Sequence, residues 1–167
     1  TARGGIASSG FMFDYCDVAV CLNVSPDHMG QFGINTVEDM VQIKRSVLQR
    51  ARKAIVINAD YQTCLDMLPF AAGPAIYAAS LSRPASEVRD MIGVAGWVCT
   101  CERVGNEEWI VLHGPAGERL DVIQVQKIPA TLDGAARFNI SNAQHAICAC
   151  HAMAISLDQV RESLARF

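Results

Sequence analysis

The sequence predicts an α/β fold. Three observations carry that prediction: short apolar runs at 17–24, 54–58 and 75–79 that read as strands, helix-period segments between them, and a shift to hairpin patterning after residue 96. The run at 17–24, apolar without a break from Val18 to Leu22, has the pattern of a strand buried on both faces of a parallel sheet. Thr36-Val37-Glu38-Asp39 then has the pattern of a capping box. Val37, Met40, Val41, Lys44, Val47, Leu48 and Ala51 follow at helical spacing, which predicts a helix over 37–52. A strand over 54–58, a helix over 61–72 and a strand over 75–79 continue the alternation.

Residues 96–104 and 107–113 read as strands around a Gly105-Asn106 turn, and 119–125 supplies a third, ending at Pro129. A small antiparallel β patch is therefore expected, inserted in the α/β core or added to its edge. Residues 139–155 form an alanine-rich helix, and Ser156-Leu157-Asp158-Gln159 opens the last one. No repeat, low-complexity tract or long linker interrupts the chain, so residues 1–167 are read as a single domain.

With 167 residues, 51% hydrophobic and 19% charged, the chain is long enough for one core. A net charge of -3 leaves no basic footprint, so nucleic acid is not expected as a partner. No apolar run reaches the ~18–20 residues of a membrane span. Nor does the opening Thr-Ala-Arg-Gly-Gly have a secretion signal's apolar centre, which makes a cytoplasmic location the expectation. The seven cysteines are odd in number and scattered, unlike a disulfide framework. Cys148, Cys150 and His151, with His145 a turn earlier, can be read as a metal site. They lie among small residues of a packed helix and lack a CxxC pair, so small hydrophobes are the preferred reading. Cys99 and Cys101, two apart in a strand, are expected on one face of the sheet.

The chemistry gathers at Asn23-Val24-Ser25-Pro26-Asp27-His28, just after the first strand, where α/β proteins place ligand crevices. His28 is a candidate metal ligand, with Asp27 as its orienter or direct partner. Lys44 falls inside the apolar stripe of its helix, which makes it a candidate buried amine; the alternative is that it snorkels past the stripe's edge. Asn58-Ala59-Asp60 ends the second strand with polar groups at the same crevice. Asn139 and Asn142, three apart, share a helix face. Asn139 suits a helix cap, and the Asn142 amide offers a donor and an acceptor that could read an adenine edge. No G-x-x-x-x-G-K-[ST] loop and no G-x-G-x-x-G after a strand occurs in the chain.

Together these residues resemble the central domain of the Mur ligase family, ATP-dependent amide ligases that include the muramyl peptide, folylpolyglutamate and cyanophycin-synthesising enzymes. The likeness is nearest to the Mur-like module of the last group. It rests on Thr1-Ala-Arg-Gly-Gly-Ile6, Cys16-Asp-Val-Ala-Val20, Asn23-Val-Ser-Pro-Asp-His28, Gly33-Ile-Asn-Thr36, Glu38-Asp-Met40, Lys44, Ile57-Asn-Ala-Asp60 and Arg137-Phe-Asn-Ile-Ser-Asn142. The resemblance implies a P-loop-type three-layer α/β/α domain, ATP and Mg2+ as cofactors, and amide bond formation through an acyl phosphate. The substrates would be a small-molecule or peptide carboxylate and an amino acid.

By residue match, His28 would bind the second magnesium and Lys44 would sit near that metal and the γ-phosphate, carbamylated in several members. Asn139 and Asn142 would lie on the adenine side. Asn23 and Asp27 would support the metal loop, Asp60 would belong to the cofactor crevice, and Arg3, Gly4 and Gly5 would lie near the acceptor substrate. On this likeness the phosphate loop falls upstream of Thr1 and the C-terminal domain after Phe167, so a fragment without turnover of its own is expected. Tyr61 stands where many relatives have an acid, and Ser8-Ser9 where the cyanophycin enzymes tend to be basic, so the amino acid taken stays open. A Mur-like ligase for another amino acid or peptide, a non-catalytic nucleotide-binding scaffold and a homo-oligomeric state are all compatible with the sequence.

Overall fold

The computed structural model describes the backbone of residues 3–26 and 30–167 and, within these, the side chains from residue 5 onward. Strands β1 (Cys16–Cys21), β2 (Ala51–Asn58), β3 (Ala75–Ser80) and β4 (Trp97–Val104) run parallel in one sheet. The antiparallel strands β5 (Glu107–His113) and β6 (Arg119–Gln124) continue it in the order β1-β2-β3-β4-β5-β6. Each parallel strand is laid beside its predecessor in one direction. With right-handed crossovers, that order puts every connecting helix on the same face. That face carries α2 (Val37–Leu48), the single turn α3 (Gln62–Leu65) and α4 (Ala85–Ile92), while α1 (Arg3–Ser9) packs on α2. The opposite face is covered by α5 (Arg137–Ala152), which crosses β1 to β4, and by α6 (Leu157–Leu164). The result is the expected three-layer α/β/α arrangement, with the antiparallel patch added at the sheet edge and β4 shared by both parts.

Alternation along the strands builds two cores. Ile55 and Ile57 of β2 pack with Met40 and Leu48 under α2, whereas Ala54 and Val56 pack with Ile140 and Ile147 under α5. The fully buried Leu48, Ile55 and Ile57 each contribute roughly 1.5–3 kcal/mol by leaving water. Cys99 and Cys101 both face the α5 side, as their spacing predicts. Among the described residues no helix is long and apolar enough to cross a membrane.

Helix α2 opens with the predicted capping box, in which Asp39 N–H donates to the Thr36 hydroxyl and Thr36 N–H to the Asp39 carboxylate. The helix stops at Leu48, short of residue 52, and β2 begins three residues before expectation because Ala51 pairs with Cys16 of β1 while Arg52 and Lys53 stay exposed. The helix expected over 61–72 is two short pieces, α3 and a 3-10 turn at Leu68–Phe70, because Pro69 cannot donate within a continuing helix. Helix α4 falls where the sequence reading placed no element. It buries Val88 and Ile92, one turn apart, against β3 and β4. Helix α5 starts at Arg137 and ends at Ala152 instead of spanning 139–155. The stop is a left-handed Ala154 at φ 58°, with Ile155 N–H closing onto the Cys150 carbonyl.

Candidate nucleotide-binding site

Because β1, β2 and β3 are parallel, their C-terminal ends open on one edge of the sheet. Asn23 follows β1, Asp60 follows β2, and Leu81 follows β3. The start of α5 brings Arg137, Ser141 and Asn142 over the same edge. These groups line a crevice of about 540 Å³ that also includes Asn58 and Tyr61. It lies where open α/β sheets bind ligands, outside the carboxyl ends of the strands.

Asp60 organises this edge. Its carboxylate accepts from the Ser80 hydroxyl at 2.6 Å, the Leu81 amide at 2.7 Å, the Ser82 hydroxyl at 2.6 Å and the Ser82 amide at 3.3 Å. Partial burial pushes the Asp60 pKa upward, but these donors outweigh it and hold the group below the usual aspartate value. The Asp60 amide in turn donates to Asn58 Oδ1 at 3.0 Å. The lone pairs of Asp60 thus hold the β3–α4 loop, although the residue still forms part of the crevice wall. The Ser80 and Ser82 contributions escaped the sequence reading. Their only sign there was the polar Ser-Leu-Ser-Arg-Pro run closing the third strand.

Asn142 lines a second cavity as well, of about 610 Å³, formed between α5 and α6. Its walls are mostly apolar, from Ile128, Ala143, Ile155 and Val160, with Asn139 and Asn142 at the polar side. Asn139 is not a helix cap. The helix begins two residues earlier, and Asn139 Nδ2 donates to the Ala130 carbonyl at 2.7 Å, tying α5 to the preceding loop. The Asn142 amide, exposed and one turn on, donates to Asn139 Oδ1 at 3.3 Å, and the residue lines both cavities. An apolar wall with an exposed amide at its edge has the general make-up of a small-molecule pocket, apolar surface with a few directed polar groups.

Lys44 is half-buried, so it snorkels to the stripe's edge instead of being the buried amine that its stripe position suggested. Its ammonium donates to the Asn23 carbonyl at 2.6 Å and reaches Asn23 Oδ1 at 3.5 Å, beside a cavity of about 250 Å³ shared with Cys21 and Ile6. Ile6 lies on α1, so the 3–5 segment is carried to the neighbourhood of Lys44. Gly5 faces open space, and the side chains of Arg3 and Gly4 lie outside the described residues. Asp27 and His28 also lie outside them. Among the described residues no three His, Cys, Asp or Glu side chains come together as a metal cluster. Arg137, at the crevice, is held by both oxygens of Glu108 on β5.

The cysteine and histidine groups of α5 point apart. Cys148 is buried in the same core cluster as Cys99, His151 Nδ1 pairs with the Tyr77 hydroxyl at 2.9 Å, and His145 Nδ1–H donates to the Ser141 carbonyl at 2.7 Å. Burial lowers the pKa of both histidines. Gln144, fully buried, donates to the Ser80 and Cys99 carbonyls and so clamps α5 onto β3 and β4.

A three-layer α/β/α sheet with a crevice at its strand ends, flanked by an amide-edged apolar cavity, defines an open α/β domain of the ligand-binding type. A sequence model of the Mur ligase middle domain matches residues 11–150, and the chain belongs to the Mur ligase family. Curated relatives that align along it are cyanophycin synthetases from Crocosphaera subtropica, 31% identical over all of this chain and 19% of the relative, and Geminocystis herdmanii, 31% identical over 99% and 18%. The enzyme from Trichormus variabilis is 32% identical over all of the chain and 18% of its own length. The chain therefore spans about a fifth of the length of these relatives.

Proposed function

We propose that this chain is the central, ATP-holding part of a cytoplasmic carboxylate–amine ligase of the cyanophycin synthetase kind. The observation that carries the reading is Asn142, which stands on both the apolar cavity and the strand-end crevice and so joins a purine-sized wall to the Asn23–Lys44 corner. Seven unpaired cysteines support a reducing compartment.

ATP bound there would supply the phosphoryl group that activates a carboxylate as an acyl phosphate, with Mg2+ spreading and positioning the transferred charge. Asn142 would read the adenine edge, while Asn139 fixes the helix start that presents it. Asn23 orients the Lys44 ammonium, whose positive charge would stabilise phosphate oxygens as negative charge builds on them. His28 and Asp27, by their match to the family motif, would hold the metal, and Asp60 would keep the β3–α4 loop at the crevice in shape. Arg3, Gly4 and Gly5 would lie toward the acceptor, carried by the packing of α1 on α2.

The test is amino-acid-dependent phosphate release by the full-length protein. Lys44→Ala and His28→Ala are each expected to lower it by at least ~100-fold, the scale of a lost electrostatic contact to a reacting group, with the circular dichroism unchanged. Full activity in both variants overturns the assignment, and nucleotide binding without any turnover in the unmodified protein points to a scaffold.

A further inference from the structure

Cys21 closes β1 and Cys64 sits in α3, and their sulfurs lie 3.8 Å apart. Both side chains are buried, yet Cys21 forms part of the wall of the 250 Å³ cavity with Lys44 and Asn23, a space large enough for a small oxidant. Either sulfur can donate in the bond they share, and the Cys21 S–H also reaches the Asn23 carbonyl at 3.9 Å. The shared bond, together with the Lys44 charge, holds the Cys21 thiol below its ordinary value against burial, and the same bond and burial push Cys64 up. Cys21, the sulfur that lines the cavity, is thus the one a small oxidant reaches, and Cys64, 3.8 Å behind it, is placed to resolve it. Cys99 and Cys148 also share one core cluster, but both are fully buried at the packing of α5 on the sheet and line none of the cavities described.

We propose that Cys21 and Cys64 form a peroxide-reactive dithiol site. The Cys21 thiolate attacks one oxygen of a hydroperoxide, breaking the O–O bond, to give the sulfenic acid and release hydroxide (an alkoxide if the peroxide is organic). Cys64 sulfur then attacks the Cys21 sulfur, expelling water with the Cys64 proton, and the disulfide forms. Two thiols are oxidised and one peroxide is reduced, with no other reactant. Closing the sulfurs from 3.8 Å to the ~2.05 Å of a disulfide draws the end of β1 toward α3.

The protein is treated with hydrogen peroxide, quenched with catalase, alkylated with N-ethylmaleimide in guanidinium and mapped by mass spectrometry without reduction. The expected result is a Cys21–Cys64 cross-linked peptide and loss of two of the seven alkylable thiols, with Cys99 and Cys148 still alkylated. In Cys64→Ser, Cys21 is expected to stall as a sulfenic acid that dimedone captures. Retention of all seven thiols, oxidation of Cys99–Cys148 first, or sulfinic acid at Cys21 with Cys64 still reduced overturns the proposal.

Discussion

Replacing Asp60 by alanine removes one carboxylate and strands four donors. The bonds to Ser82 lie at the surface, where its hydroxyl and amide find water, so they contribute little to the loss. Those to the Ser80 hydroxyl and the Leu81 amide are partly buried, and Ser80 is only 1% exposed. Hydrogen bonds to a charged group contribute about 1.5–3 kcal/mol each when one partner is deleted, and two sharing one acceptor add less than their sum. The expected cost is therefore roughly 2–4 kcal/mol, or a fall in Tm of roughly 4–16 °C for a chain of this size. Urea unfolding at neutral pH measures it.

The pH dependence tests the same group independently. The pKa of Asp60 is depressed in the folded state, so its contribution is present above the unfolded aspartate value near ~3.9 and is lost as pH falls through the lower folded value. Unmodified protein and Asp60→Ala should accordingly converge in acid. A difference below about 0.5 kcal/mol at neutral pH, or one that widens toward pH 3, refutes the reasoning.

Asn142→Ala should weaken binding of ATP by about tenfold, the ~1.4 kcal/mol of one or two amide hydrogen bonds, without changing the urea midpoint, because the residue is exposed; calorimetric titration of the nucleotide-competent full-length protein checks both. Gln144→Leu removes the two bonds from α5 to the Ser80 and Cys99 carbonyls at similar volume, and should cost about 1–2 kcal/mol with an unchanged urea m-value. His145 and His151 are neutral in the fold because burial depresses their pKa values, whereas the unfolded chain takes up protons near pH ~6.5, so stability should fall as pH drops below that point. Urea midpoints at pH 7.5 and 5.5 read the slope, and His145→Gln should flatten it.

The parallel core was legible in the sequence wherever local chemistry and tertiary need agree. Thr36 and Asp39 mark the start of α2 because the capping box is a local hydrogen-bond exchange, and the apolar runs mark β1 to β3 because both of their faces are covered. The eight-residue α4 was hidden because Pro84 supplies no side-chain cap and only Val88 and Ile92 carry its period. Asn139 misled for a related reason: its amide bonds a carbonyl nine residues upstream, a partner that spacing cannot reveal. At the site, Asn23 and Lys44 were legible as neighbours, since both follow from where β1 ends and which side α2 faces. The burial of Lys44 was not, because stripe position says nothing about how far a four-carbon stem can reach. Nor could the sequence show that Asp60 spends its oxygens on Ser80, Leu81 and Ser82, since that bond set exists only once β2 and β3 are paired.

The strand order also dictates a schedule. With α2 to α4 all on one face, the α5 side of Val56, Tyr77, Ala79 and Cys99 has no cover until residues 137–152 have been made. During synthesis these strands must either wait unpaired or expose a flat apolar face, the condition under which partly folded chains stick to one another. Docking of α5 is then a late, long-range event that seals the sheet and positions Asn142 in the same movement, so a chain cut before Arg137 should be lost to aggregation before it is tested for chemistry.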